Sequence, residues 1–309
     1  MKPMIDPVSR EALKEELNFD RFVRTTNNGN NKIFIVNYHN SPSVMREIAR
    51  LRELTFRAAG GGTGLELDID ENDTCEKPYE QLIVWNETDM EIVGGYRFIR
   101  CVDAIGKDGS VNLSTAHLFN YSDNFKNNYL PKTIELGRSW VQPIYQPSAT
   151  NRKGLFSLDN LWDGLGAITI DNPDIEYYFG KVTMYTHYNV EARDLLLYFM
   201  RYYFPDHERL VWPINSIKSV FPDSKFQHLF SGLDYKDGHK ILNQHVRALG
   251  ENIPPLINSY MNLSPTMRTF GTAINDLFGD VEETGIMVTI KDIYNSKKDR
   301  HISSYQKKN

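Results

Sequence analysis

Two cysteines, Cys75 and Cys101, are all that 309 residues contain. They cannot build a disulfide framework and have no metal-ligand spacing, so a reducing cytoplasm is the expected setting. Long apolar runs are missing as well, and the opening MKPMIDPVSREALKEE is charged throughout, unlike a signal peptide. The sequence therefore predicts a cytoplasmic protein, with peripheral contact to the inner face of the membrane left open. An excess of basic residues is also absent. The net charge of -5 argues against a general nucleic-acid binder. The cluster Gly60, Gly61, Gly62 and Gly64 lacks the lysine and hydroxyl residue that would end a phosphate-binding P-loop. In the acidic run LELDIDENDT, Asp73 stands where an EF-hand needs glycine and Tyr79 where it needs glutamate. His228, His239 and His245 have no second ligand at a metal-like interval, so no metal is expected.

What is present has the composition of a soluble globular protein, 40% hydrophobic, 24% charged and 12% aromatic. Helical spacing of Leu13, Leu17, Phe19 and Phe22 predicts an amino-terminal helical extension over residues 1–32. The strand KIFIVNYH then opens a core expected over 33–204. Ser41 and Pro42 read as N-cap and first residue of a helix carrying Val44, Ile48, Leu51 and Phe56 on one face, with Arg52 and Arg57 toward its end. QLIVWN and EIVGGYRFIRC read as strands, the second containing Arg97. LFSLDNLWDGLGAITI is a helix closed by Asn172 and Pro173, YYFGKVTMYTHY a strand, and NVEARDLLLYFMRYYF a helix capped by Asn189. Residues 205–250 read as an insertion with one helix from Lys236 to Leu249. Residues 251–295 return to the core with a helix start, a polar stretch and a strand, GIMVTIKDI, and 296–309 form a basic tail expected to be solvated.

The centre of this plan is KTIELGRSWVQPIYQ, residues 132–146. Thr133, Ile134, Leu136, Trp140 and Val141 favour extended backbone, yet Glu135 and Arg138 lie inside the run. Residues three apart point to opposite faces of a regular strand, so the two charges meet only across a bulge, for which Gly137 is the site. A structural ion pair at a sheet edge and a bulge beside an active site are both compatible with this stretch. The turn and helix start that follow, with Arg152, Lys153 and Gly154, would suit a pyrophosphate or phosphopantetheine group.

Arg52 and Phe56 on an early helix, Asp70 and Asp73 in an acidic loop, VGGYRF with Arg97, and ELGRSWV with Glu135 and Arg138 follow one another in an order that resembles the acyl-homoserine-lactone synthases. The series resembles more closely the GNAT-fold N-acyltransferases that make ornithine and other amino-acid lipids, often labelled haemolysin-like. PPLINSYMNL and GIMVTIKDI are similar to the carboxyl-terminal part of those lipid-synthesis enzymes. The resemblance implies an α/β (α+β) fold with a mixed central sheet flanked by helices. It also implies aminolysis of a thioester, in which a fatty acyl chain, often 3-hydroxylated, passes from acyl carrier protein, or from acyl-CoA, to the amino group of a small amino acid. No permanently bound cofactor is expected.

On this reading Glu135 is the general base, while Arg138 and Arg97 order the acidic loop and hold the acceptor carboxylate. Arg52, Phe56, Asp70 and Asp73 shape the substrate site, and Val141, Arg152, Lys153 and Gly154 receive the thioester oxygen and the pantetheine arm. Acyl carrier protein is acidic, so Arg152 and Lys153 are candidates for its docking. Two other readings stay open: an acetyl-CoA-dependent acetyltransferase of a small amine, and a membrane-active protein that is not an enzyme.

Overall fold

A computed structural model describes residues 1–146 and 154–307. In chain order its elements are α1 (Arg10–Glu16), β1 (Phe22–Thr25), β2 (Lys32–Val36), α2 (Pro42–Ala58), α3 (Glu71–Thr74), β3 (Glu80–Asn86), β4 (Glu91–Arg100), β5 (Phe119–Tyr121) and β6 (Thr133–Val141). After them come α4 (Ser157–Asp171), β7 (Tyr177–Met184), α5 (Val190–Tyr203), β8 (Val211–Pro213), α6 (Ser224–Phe230), α7 (Tyr235–Ala248), α8 (Pro255–Met261), β9 (Arg268–Asn275), β10 (Val281–Thr289) and α9 (Asn295–His301). Eight strands form one mixed sheet in the order β1-β2-β3-β4-β6-β7-β10-β9, and β5 pairs with β8 separately.

One face of the sheet carries Leu82, Val84, Tyr96, Ile134, Leu136, Tyr178 and Val288 and packs on α4, α5 and α8. Phe34, Ile83, Trp85 and Trp140 point the other way, against Val44, Ile48 and Leu51 of α2. Successive residues of β3 thus serve two cores, as the two-residue period of a strand requires.

Among the described residues only β6 and β7 run parallel within the sheet, and their pairing is short: it runs from Thr133 facing Tyr177 to Leu136 facing Gly180 and is not continued beyond. Both strands nevertheless continue, β6 on β4 as far as Val141 and β7 on β10 as far as Met184. The sheet is therefore split down its middle beyond Leu136 and Gly180. A Cβ at Gly180 would lie 2.3 Å from the Leu136 carbonyl oxygen, so only glycine lets the strands approach at the last paired position.

Several expectations change in the fold. The amino-terminal helix stops at Glu16, and Phe22, read as helical, begins β1 at the sheet edge. Ser41 occupies the N-cap of α2, but its side chain makes no capping bond. Glu16 caps instead, accepting from the N–H groups of Ser43 at 3.0 Å and Val44 at 2.9 Å. The polar stretch before GIMVTIKDI is strand β9, stabilised by pairing along β10 rather than by its own propensity. The basic tail folds: α9 packs on α4, with Arg300 on Asp159 at 2.6 Å and His301 Nδ1 2.8 Å from Asp163. Residues 205–250 contain α6 and α7, whose Phe226, Phe230, Leu242 and Val246 join the main core beside α5. No helix among the described residues is long and apolar enough to cross a membrane.

Candidate active site

The acidic loop is held by three arginines. Arg52 of α2 is wholly buried and donates from Nε to Asp68 at 3.0 Å and from Nη1 and Nη2 to Asp73 at 3.3 and 3.1 Å. Asp70 is the N-cap of α3 and forms a reciprocal capping box with Asp73. Arg97 of β4 reaches both oxygens of Asp70 at 2.7 Å and lies 3.3 Å from Asp73. Gln81 adds a bond to Asp73 at 3.0 Å. Burial would raise the carboxyl of Asp68, but Arg138 and Arg52 outweigh it and hold the group below the usual carboxylate range. Burial would likewise raise Asp73, and Arg52 and Arg97 hold it well below the usual carboxylate range.

Arg138 connects this network to a cavity. Strand β6 is bulged there: Arg97 faces Gly137 and Gly95 faces Trp140, leaving Arg138 and Ser139 opposite Tyr96 alone. Arg138 takes φ +45° at the bulge. Its Nε lies 2.9 Å from Asp68, and its guanidinium stacks over the Phe278 ring at 4.3 Å. The expected bulge exists, but it does not join Arg138 to Glu135; Asp68 is the partner.

The cavity occupies the split between β6 and β7. Its β6 wall is Leu136, Gly137, Arg138 and Ser139, and its β7 wall includes Gly180, Lys181 and Thr183. Phe56 and Phe278 close one end, their rings edge to face at 5.0 Å. Glu283 of β10 also lines it, accepting from Lys181 Nζ, from Asn275 at 2.9 Å and from Thr183 at 3.2 Å. Burial and the nearby Arg138 push the Lys181 amine down, and Glu283 only partly offsets them. Burial would raise Glu283, whereas Lys181 and Arg138 keep it below the usual range. Toward α4 and α9 lies a second, largely apolar cavity, the two sharing the lining residues Leu136, Tyr178, Tyr260 and Val288.

The structure thus brings together Arg52, Asp70, Asp73, Arg97 and Arg138, with Phe56 on the cavity wall. Other expected residues are placed differently. Glu135 does not line the cavity; it is buried and accepts from Tyr79, from Ser114 N and Oγ at 3.1 and 2.9 Å, and from Thr115 N and Oγ1 at 3.0 and 2.5 Å. Five donors converge on its oxygens, and through them Glu135, expected as the base, anchors the 114–115 loop to β6. Burial pushes the Tyr79 hydroxyl up and the Glu135 charge adds to this, keeping it a donor.

Arg97 is buried behind the acidic loop and does not line the cavity. Val141 lies two residues beyond the cavity wall, paired with Gly94, its carbonyl accepting from Gln146 at 2.8 Å. Gly154 is buried against the preceding turn, where a Cβ would fall 1.6 Å from the Tyr145 carbonyl oxygen, so close packing requires glycine there. Arg152 and Lys153 lie outside the described residues. Lys181 and Glu283 escaped sequence reasoning; Lys181 is the one charge within the apolar strand β7, which was an available signal, whereas Glu283 stands beside Glu282 at the start of β10 and gave none. Among the described residues no cluster of three or more histidine, cysteine, aspartate or glutamate side chains could hold a metal.

Comparison with known proteins matches the acetyltransferase (GNAT) domain to residues 51–153, the segment from Arg52 through the bulged strand. A glycine N(alpha)-acyltransferase of Bacteroides thetaiotaomicron is 54% identical over 306 residues, covering 99% of this chain and 91% of that protein. The chain belongs to this family of GNAT N-acyltransferases. A second glycine N(alpha)-acyltransferase, from Phocaeicola vulgatus, is 50% identical over 308 residues, covering 99% and 94%. No solved structure matches the chain. The mixed sheet with its split parallel pair is accordingly a GNAT-like fold, and the N-acyltransferase takes its acyl group from an acyl thioester co-substrate of the acyl-CoA type.

Proposed function

We propose that this enzyme moves a long fatty acyl chain, 3-hydroxylated in the form the sequence resemblance implies, from acyl carrier protein to the amino group of glycine, as the first step of aminolipid synthesis. The observation that carries the reading is the adjacency of two unlike spaces. A charged cavity at the split of β6 and β7, with Arg138, Lys181 and Glu283 on its walls, adjoins an apolar one bounded by Leu136, Leu165, Tyr178, Tyr260, Leu263 and Val288. An acyl thioester with its carbonyl at residues 137–139 would have its chain on the apolar side and its acceptor on the charged side. Acetyl transfer needs no such apolar extension. The names of the two relatives support glycine over ornithine as acceptor.

The reaction forms an N–C bond and breaks the C–S bond. The reading takes backbone N–H groups at the bulge, where β6 has no β7 partner, as donors to the developing oxyanion. The test is to incubate purified enzyme with 3-hydroxyhexadecanoyl carrier protein, the matching acyl-CoA and acetyl-CoA in turn, with glycine or ornithine, and to identify amides by mass spectrometry. N-(3-hydroxyacyl)glycine from the carrier-protein donor is expected. Turnover with acetyl-CoA alone would overturn the reading.

A further inference from the structure

Arg138 is tethered at one end and unoccupied at the other. Its Nε is held by Asp68 and its face by Phe278, whereas Nη2 comes no nearer than 3.8 Å to Asp70, and neither Nη atom donates a hydrogen bond among the described residues. The side chain is 13% exposed and lines the cavity. Positive φ at a residue with a Cβ is strained, and such strain persists where surrounding structure enforces it. A planar fork fixed this way suits a planar anion, and a carboxylate matches it in both geometry and charge.

The same cavity offers the opposite sign. Glu283 is buried, its oxygens share Lys181, Thr183 and Asn275, and Arg138 is near enough to bear on the ionisation of both Lys181 and Glu283. Phe56 and Phe278 bound the space on the α2 side. A ligand satisfying this wall carries a carboxylate and an amine a few bonds apart and little else.

We propose that Arg138 and the Glu283–Lys181 pair form the acceptor subsite, gripping the carboxylate and the amino group of a free amino acid, and that Phe56 and Phe278 leave room at its Cα for hydrogen alone. This rests on the N-acyltransferase reading above and adds the residues that select the acceptor. The ammonium gives one proton to the Glu283–Lys181 pair and becomes the nucleophile. After N–C bond formation the second proton leaves the nitrogen, the C–S bond breaks, the thiol carries away one proton and the other passes to solvent.

Steady-state kinetics with the full chain, saturating acyl donor and varied amino acid tests the proposal, with circular dichroism confirming that each variant is folded. Arg138→Lys is expected to raise KM for glycine about ten- to a hundredfold, the loss of a bidentate charged bond, with KM for the acyl donor unchanged. Glu283→Gln is expected to lower kcat and shift its acid limb. Phe278→Leu, which preserves most of the packing, is expected to raise the alanine-to-glycine ratio of kcat/KM by about tenfold or more, the scale on which one methyl group is discriminated. Wild-type turnover of glycine together with an Arg138→Lys defect in donor KM only, or an unchanged alanine ratio in Phe278→Leu, overturns the subsite while leaving the function intact. No acylation of any free amino acid by the wild type overturns both.

Discussion

Arg52 and Asp73 meet through two nearly parallel N–H···O bonds, 3.1 and 3.3 Å long, at a point where neither side chain is exposed to solvent. Removing one partner strands the other as an unpaired buried charge, a larger loss than the net value of the pair itself. Arg52→Met is therefore expected to destabilise the protein by about 3–5 kcal/mol. Urea unfolding followed by fluorescence measures this. Arg52→Lys is expected to recover little, because one ammonium cannot reach both Asp68 and Asp73 in the arginine's geometry.

The same loop sets the acid limit of stability. Asp68 and Asp73 are held below the usual carboxylate range by the arginines around them, so the unfolded chain takes up protons first as pH falls. Groups with depressed folded values stabilise above the unfolded pKa of about 4 and lose that contribution as pH drops through the folded one. Tm is expected to fall steeply below about pH 4. Asp68→Asn should flatten that slope while lowering Tm at neutral pH. An unchanged slope would remove the loop from this role.

Glu135→Gln separates a structural from a catalytic function. Five donors converge on the Glu135 carboxylate, and the amide NH₂ of glutamine would confront one of them. A stability loss of about 1–3 kcal/mol is expected, with kcat per folded molecule within about threefold of wild type. A hundredfold loss of kcat in a folded protein would restore Glu135 as the base.

Val288 lines both the charged cavity and the apolar one behind it. Val288→Phe is expected to reduce kcat/KM for long acyl donors by tenfold or more while sparing short ones, since a core this closely packed yields little to added volume. A series of acyl carrier protein thioesters of increasing chain length reads this out. An equal loss at every length would place the chain elsewhere.

Gly180 stands at the fork of the sheet. Gly180→Ala would press a methyl into the Leu136 carbonyl, 2.3 Å away, and end the β6–β7 pairing one residue early. Lower Tm and impaired donor binding are expected together, measurable by calorimetry and by KM for the thioester.

Much of this protein was legible in one dimension. Alternation located β2, β3, β4, β6 and β7, spacing located α2, α4 and α5, and the order of Arg52, Phe56, Asp70, Asp73, Arg97, Glu135 and Arg138 pointed to an N-acyltransferase. Those features rest on neighbours within about four residues or on types read directly from the chain. Tertiary structure alone decided the rest. Lys181 and Glu283 are 102 positions apart and meet because β7 and β10 pair antiparallel. The Ser114–Thr115 loop claims Glu135, and Asp159 and Asp163 of α4 draw the basic tail into a helix. The split of β6 from β7 creates the cavity by removing hydrogen bonds rather than making them. Such outcomes turn on which side chains packing brings within 3 to 4 Å, and no local pattern encodes that distance.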